Sequence, residues 1–213
     1  MSNGSMSCSF GLVDGRPVFM DTEDDSYFML EPDDEAAFLA NLRAMGKPSS
    51  ETACIAGFAR PITLASWEPP QKSILSGREA RQRPSLGDLL LAWRLVATAR
   101  RRIRHQPIPE LLARLESGSE VRTAGMAGPS AAARFAAARR FVPVPRNCLL
   151  DSVGLLLWLE RGGERATLLF GVKLNPFGAH CWVQSGSLLL NDHVEHVERF
   201  TPVRAINCLP VSP

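Results

Sequence analysis

Residues 148–158, Cys-Leu-Leu-Asp-Ser-Val-Gly-Leu-Leu-Leu-Trp, are apolar nearly all round a helical wheel. A surface helix keeps one polar face, and a helix that lacks one has to be enclosed by other elements. Asn147 offers a capping oxygen to its first turn, and Gly162-Gly163 offers a stop. Pro143 and Pro145 break the chain just ahead of it. The fold must therefore be built around one buried helix whose first residue is a cysteine.

The segments before that helix have other textures. Residues 9–13, 16–20 and 26–30 read as three short strands. Asp14-Gly15 is a strong hairpin pair between the first two, and residues 22–25 make a polar turn before the third. Pro32-Asp33-Asp34-Glu35 opens a helix, with the acids where the dipole favours them. Phe38, Leu39 and Leu42 carry it to about Met45, and Gly46 ends it. Residues 49–58 are expected to form a second short helix, and 61–64 a turn or strand. Residues 66–85, rich in Pro, Gln, Ser, Gly and Arg, read as a connecting segment. Residues 85–104 place Leu89, Leu90, Trp93, Val96 and Ala97 on one side, the expected buried face of an amphipathic helix. Residues 107–116 and the Ala-rich 129–141 follow as helices, separated by a loop over 118–128.

Beyond the buried helix, residues 166–174, 179–184 and 187–191 read as strands of an antiparallel meander. The fold class is α+β. A small β/α module over residues 1–75 and a linker over 76–84 precede a domain over 85–213, which has a helical lobe and an antiparallel sheet.

Composition narrows the function classes. The chain has 213 residues, 45% of them hydrophobic, enough for one large core or two small ones. No stretch nears the ~20 continuous apolar residues of a membrane-spanning helix. The polar start lacks the pattern of a signal peptide. A cytoplasmic protein without a membrane partner is expected. The five cysteines are odd in number and scattered, which points to reduced thiols instead of a disulfide framework.

A net charge of +2 hides an asymmetry: residues 1–70 hold four basic against eleven acidic side chains, and 71–147 hold fifteen against five. The basic middle raises nucleic acid as a partner. No base-reading motif accompanies Arg78, Arg81, Arg83 or Arg100–Arg102, so they are read as solvated faces or as meeting the acidic N-terminal part, and no nucleic-acid partner is expected. No glycine-rich phosphate loop occurs, so the chain has no evident nucleotide site of its own.

Chemistry concentrates in the last third. A thiol at a helix N-terminus meets unpaired N–H groups and the positive end of the dipole, both of which favour thiolate. Cys148 is at that position. An imidazole beside it would stabilise the thiolate and protonate a leaving amine, and a third group would orient the imidazole. His180 and Asp192 on the following meander are the candidates. A two-residue loop at 185–186 puts them on opposite faces. A three-residue loop at 184–186 makes them diagonal neighbours, and one at 185–187 sets them opposite one another. The turn with Gly186 at its third position is the better formed. A metal site is the rival: His180, Cys181, His193 and His196 offer ligands in a short span. Adjacent strand residues His180 and Cys181 point apart, however, and no metal is expected.

Asn-Cys-Leu-Leu-Asp-Ser (147–152), Leu-Phe-Gly-Val (169–172), Asn-Pro-Phe-Gly-Ala-His-Cys-Trp-Val (175–183) and Leu-Asn-Asp (190–192) resemble the B proteins of lasso peptide biosynthesis. Those proteins belong to the transglutaminase-like, papain-related superfamily. The likeness covers about residues 145–195. It implies a papain/transglutaminase-like domain and a cysteine peptidase that removes the leader from a lasso precursor peptide. It makes Cys148 the nucleophile, His180 the base and then acid, Asp192 the orienter, and Trp182 a wall of the site. Relatives often carry a small residue after the histidine, whereas this chain has Cys181, which is expected to face away as a bystander.

The resemblance also implies that the N-terminal module is a winged-helix-like leader-recognition unit. The leader would add to its third strand, at Tyr27, Phe28, Met29 and Leu30. It implies an ATP-dependent, asparagine-synthetase-like cyclase as partner. The chain itself is expected to need no cofactor, any ATP dependence coming through that cyclase. A transglutaminase-like acyltransferase and a non-catalytic leader-binding scaffold are the alternatives.

Overall fold

A computed structural model describes residues 8–44, 62–65, 67–76, 83–117, 125–126 and 128–207. The helix expected at 49–58, the stop at Gly46, most of the linker over 76–84, Cys54 and Cys208 lie outside the described residues.

Strands β1 (Cys8–Val13) and β2 (Arg16–Asp21) pair antiparallel, from Val13 against Arg16 to Cys8 against Asp21. Their turn takes positive φ at both Asp14 and Gly15, as a two-residue hairpin requires. Strand β3 (Ser26–Met29) pairs with β2, and helix α1 (Pro32–Ala44) follows. Strand β4 (Ile62–Leu64) joins β1 in parallel, so the order is β3-β2-β1-β4 with β3 at an edge. The apolar side of this sheet meets α1 through aromatic rings. Phe38 sits edge-on to Phe10 and Phe19, both at 5.2 Å, and Phe28 stacks on Phe19 at 5.0 Å.

The chain divides into two compact units. One gathers Met1–Trp67 with Phe170–Ala179 and Phe200–Ala205; the other gathers Glu68–Leu169, His180–Arg199 and the C-terminal residues. Within the first, a Cβ on Gly11 would run into the carbonyl of Pro202, so only glycine permits that approach.

The second unit begins with strand β5 (Lys72–Ser73) and a single 3-10 turn, Ile74–Ser76. The helical lobe follows: α2 (Leu86–His105), α3 (Ile108–Ser117), the short strand β6 (Gly125–Met126), α4 (Pro129–Arg139) and α5 (Cys148–Arg161). Helix α5 is enclosed as its composition requires, with Leu150, Val153 and every residue from Leu155 to Leu159 buried. Gly154 faces Phe135 of α4 and Val96 of α2, where an added Cβ would stand 3.3 and 3.5 Å from their side chains.

The buried face of α2 overlaps the apolar stripe at Val96, with Leu89 half-buried, and otherwise differs from it. Ala92, Val96 and Ala99 are fully buried, whereas Leu90 and Trp93 are 65% and 53% exposed and Ala97 is exposed. Small side chains let α2 lie close to its neighbours, and the larger ones are left outside. The polar member of the buried face, Asp88, is satisfied. It forms a capping box with Ser85 and takes Arg134 at 2.5 Å.

Strand β7 (Glu164–Arg165) pairs with β6. Then come β8 (Thr167–Lys173), β9 (Gly178–Ser185), β10 (Leu188–Leu189), the one-turn helix α6 (Val194–Val197) and β11 (Thr201–Asn207). The sheet runs β11-β8-β9-β10-β5, and β10 pairs with β5 in parallel. It is thus larger than the three-stranded meander, and mixed. Strand β5 comes from a stretch expected at the end of the N-terminal module. It is held by main-chain bonds, including Gln71 N–H to the Ser187 carbonyl at 2.8 Å, and by the buried Ile74. Neither leaves an apolar period in the sequence.

Candidate functional site

Cys148 is the first residue of α5. The side chain of Asn147 accepts from the N–H groups of Leu149 and Leu150, at 3.0 and 3.3 Å. The segment leading into the helix is fixed by one buried guanidinium. Arg139, only 2% exposed, donates to the carbonyls of Val142, Val144 and Pro145 and, through Nε at 2.7 Å, to Asp151 in the first turn of α5. Prolines 143 and 145 have no N–H to anchor that segment, so its carbonyls carry the load. The charge of Arg139 is balanced on the same helix that bears the cysteine.

His180 lies on β9. Its Nε2 is 2.5 Å from Asp192 Oδ2, and its ring hydrogen-bonds to the Cys148 sulfur. With Nε2 committed to the carboxylate, Nδ1 is the nitrogen left for sulfur. The Asp192 carboxylate also accepts from the His193 N–H at 2.7 Å and sits 3.0 Å from His196 Nδ1. Ser73 of β5 donates its hydroxyl to the Asp192 carbonyl at 2.5 Å. The three residues singled out from the sequence therefore meet, in the order sulfur, ring, carboxylate.

They do not meet by any of the three hairpin registers considered. The loop is Gly186-Ser187, pairing Ser185 with Leu188 and Gln184 with Leu189, with Gly186 at φ 56. Strand parity then puts residue 192 on the face opposite 180. Asp192 escapes that parity because β10 ends at Leu189 and the chain bends away over 190–192. Asn191 shapes the bend, accepting from the Val183 N–H at 2.8 Å and donating to Ser152 Oγ at 2.9 Å.

Cys181 is not a bystander facing away. It is buried, its thiol and its backbone N–H both hydrogen-bond to the Cys148 sulfur, and its own sulfur lies 3.9 Å from Ser152 Oγ on α5. Alternation along β9 does separate 180 from 181, but the face holding Cys181 is the one turned to α5, where Cys148 and Ser152 lie one helical turn apart. Ser152 and Asn191 went unsingled from sequence. The available signal was Ser152 itself, a hydroxyl four residues after Cys148 in a helix that is mostly apolar.

Electrostatics follow from these contacts. The Cys148 thiol is brought down to about 4, first by its bond with Cys181 and then by His180, against the cost of burial. Burial works against charging His180, but Asp192 and Cys148 outweigh it and raise the imidazole to about 9. Burial likewise opposes the charge on Asp192, and bonds from His180, His193 and His196 hold it below the usual carboxylate range. Between about pH 4 and 9 the site is a thiolate beside an imidazolium. Cys181 is pushed well up, chiefly by the anionic sulfur it bonds.

Among the described residues, His180, Asp192 and His196 are the one group with ligand atoms close enough to share a metal, all within 4.8 Å. Cys181 and His193, weighed from the sequence, are not in it. At neutral pH a cation there would have to displace the proton of His180. Trp182 is fully buried, donates to Gln184 Oε1 at 3.0 Å and stacks on His180 with centroids 6.1 Å apart. It backs the imidazole from inside the protein. In the first unit, Tyr27, Phe28, Met29 and Leu30 are all half-buried. Phe28 lies on Phe19, and Tyr27 stands edge-on to Phe177 at 5.9 Å. No helix among the described residues is long and apolar enough to cross a membrane.

The family model of the transglutaminase-like superfamily matches residues 88–205, more than half of the chain, with Cys148, His180 and Asp192 inside the match. No curated protein and no solved structure matches it. The chain belongs to the transglutaminase-like superfamily, which includes cysteine peptidases and acyltransferases.

Proposed function

We propose that this protein is a cysteine peptidase that removes the leader from a lasso peptide precursor, with Cys148 as nucleophile, His180 as acid and base, and Asp192 as orienter. The observation that carries the reading is the Cys148 sulfur at the head of α5, hydrogen-bonded to an imidazole that Asp192 holds from its other side. The thiolate attacks the scissile carbonyl, and the imidazolium gives its proton to the departing amine. The neutral imidazole then takes a proton from water, which opens the thioester and releases the leader acid.

Leader recognition is assigned to the N-terminal module. In support, β3 is an edge strand, and its aromatic side chains are engaged with neighbours, so its main chain is what an extended peptide would pair with. Holding the leader there raises the effective concentration of the cut site. An ATP-dependent, asparagine-synthetase-like cyclase completes the pathway as partner, and any ATP is consumed there. The protein works in the cytoplasm.

The test is incubation of the purified protein with a synthetic leader–core precursor and mass analysis of the products. Free leader acid and free core are expected from the parent and nothing from Cys148→Ala. A leader–amine conjugate would instead mean acyl transfer, and equal processing by Cys148→Ala would mean a binding scaffold.

A further inference from the structure

Cys181 is a nucleophile in contact with the site to which the peptidase chemistry gives no step. Cys148 and Ser152, four residues apart, share one face of α5. The Cys181 sulfur lies 3.9 Å from Ser152 Oγ on that same face, which sets it beside Cys148. Both are free thiols. A disulfide brings the two sulfurs to about 2.05 Å. We propose that Cys148 and Cys181 are a modification site, closing to a reversible disulfide when the protein meets hydrogen peroxide and so protecting the nucleophile from irreversible oxidation.

The steps balance. The Cys148 thiolate attacks one oxygen of hydrogen peroxide; the O–O bond breaks, hydroxide leaves, and the sulfur becomes a sulfenic acid. The Cys181 sulfur then attacks the sulfenic sulfur, giving up its proton. The S–O bond breaks, and the departing oxygen leaves as water. In total two thiols and one peroxide become one disulfide and two waters. A dithiol reductant reverses the change by thiol–disulfide exchange.

Burial orders the events. Cys148 is partly exposed and ionised, so peroxide meets it first; Cys181 is 3% exposed and neutral. The anionic Cys148 sulfur is the main influence keeping Cys181 protonated. Formation of the sulfenic acid removes that charge and frees Cys181 to ionise when its partner is ready. From the proposed function this takes only the ionised Cys148, not the peptidase reaction.

The experiment treats the full-length protein with a small excess of hydrogen peroxide, blocks remaining thiols, and maps the digested peptides by mass. The expected result is a peptide pair joined through Cys148 and Cys181, lighter by two hydrogens and separated by dithiothreitol. In Cys181→Ala, and in Cys181→Ser should the first variant fold poorly by circular dichroism, Cys148 is expected to pass to sulfinic acid, which dithiothreitol does not recover. Failure of the parent to form the 148–181 link would overturn the proposal. So would passage of Cys148 to sulfinic acid at the same dose in parent and variant. The readout is a covalent bond, so a protein that forms the link but cuts no precursor sinks the function and keeps this inference. One that cuts precursor but forms no link does the reverse.

Discussion

At the scale of single residues, the site rests on a proton moved from sulfur to nitrogen before any substrate arrives. In the proposed mechanism Cys148 acts as thiolate, above about 4, and His180 delivers a proton as imidazolium, below about 9. For the free enzyme, kcat/KM should therefore rise through about pH 4, hold a plateau, and fall through about pH 9; the limbs belong to the coupled pair. Asp192→Asn removes the carboxylate that raises the ring. Its alkaline limb should move below pH 9, and kcat/KM should drop by roughly 10²–10⁴. A pH–rate profile of both proteins decides this, and an alkaline limb unmoved in the variant would remove Asp192 from the role. Asp192 reaches His180 by a bend that none of the expected hairpin registers contained, whereas the capped helix start at Cys148 and the strand position of His180 were legible in the sequence as local signals. Cys181, Ser152 and Asn191 were not. Their roles arise where α5 faces β9 and the bend after β10, and nothing in one segment announces what lies across from it.

At the scale of elements, α5 is what its composition said, and α2 is not. The stripe Leu89, Leu90, Trp93, Val96 and Ala97 looks like a core face, yet of it only Val96 is fully buried, and the face that packs is completed by Ala92 and Ala99. Close helix approach selects small residues, and periodicity of large ones cannot see it. Trp93→Lys should therefore change unfolding free energy by less than about 0.5 kcal/mol, the range for exposed sites. Leu155→Ala, at a fully buried position of α5, should cost about 2–5 kcal/mol. Urea melts of the two variants test the assignment, and a large loss in Trp93→Lys would contradict it. Arg139 makes the same point for polar groups. Arg139→Met leaves three carbonyls without their donor and Asp151 with only the exposed Arg146, 3.8 Å away, and a loss of about 3–5 kcal/mol is expected on removing one half of a buried pair. The strands showed the limit of pattern: β8 and β9 were visible by composition, whereas β5 is two residues held by main-chain bonds.

At the scale of the whole molecule, the two compact units do not follow the sequence order. Pieces of chain from 170–179 and 200–205 gather with the N-terminal residues, so the boundary cannot be read from composition alone. The hairpin and helix order of the N-terminal module was legible; the Gly11 approach to Pro202 was not, since it joins residues far apart in the chain. If leader recognition and cutting are separate tasks, excess isolated leader peptide should inhibit precursor cleavage competitively. It should leave the turnover of a short, leaderless ester substrate unchanged. Inhibition of both alike would place the leader in the catalytic cleft and remove the docking role from β3.

Every scale converges on the ionisation of one sulfur. The direct measurement is the rate of Cys148 alkylation by iodoacetamide as a function of pH, with the signal from the other cysteines subtracted through Cys148→Ala. The account predicts a reactive thiolate down to a midpoint at about pH 4. A midpoint near the ordinary thiol value of ~8.5 would contradict it, because a sulfur that is neutral at physiological pH is not the poised nucleophile described here.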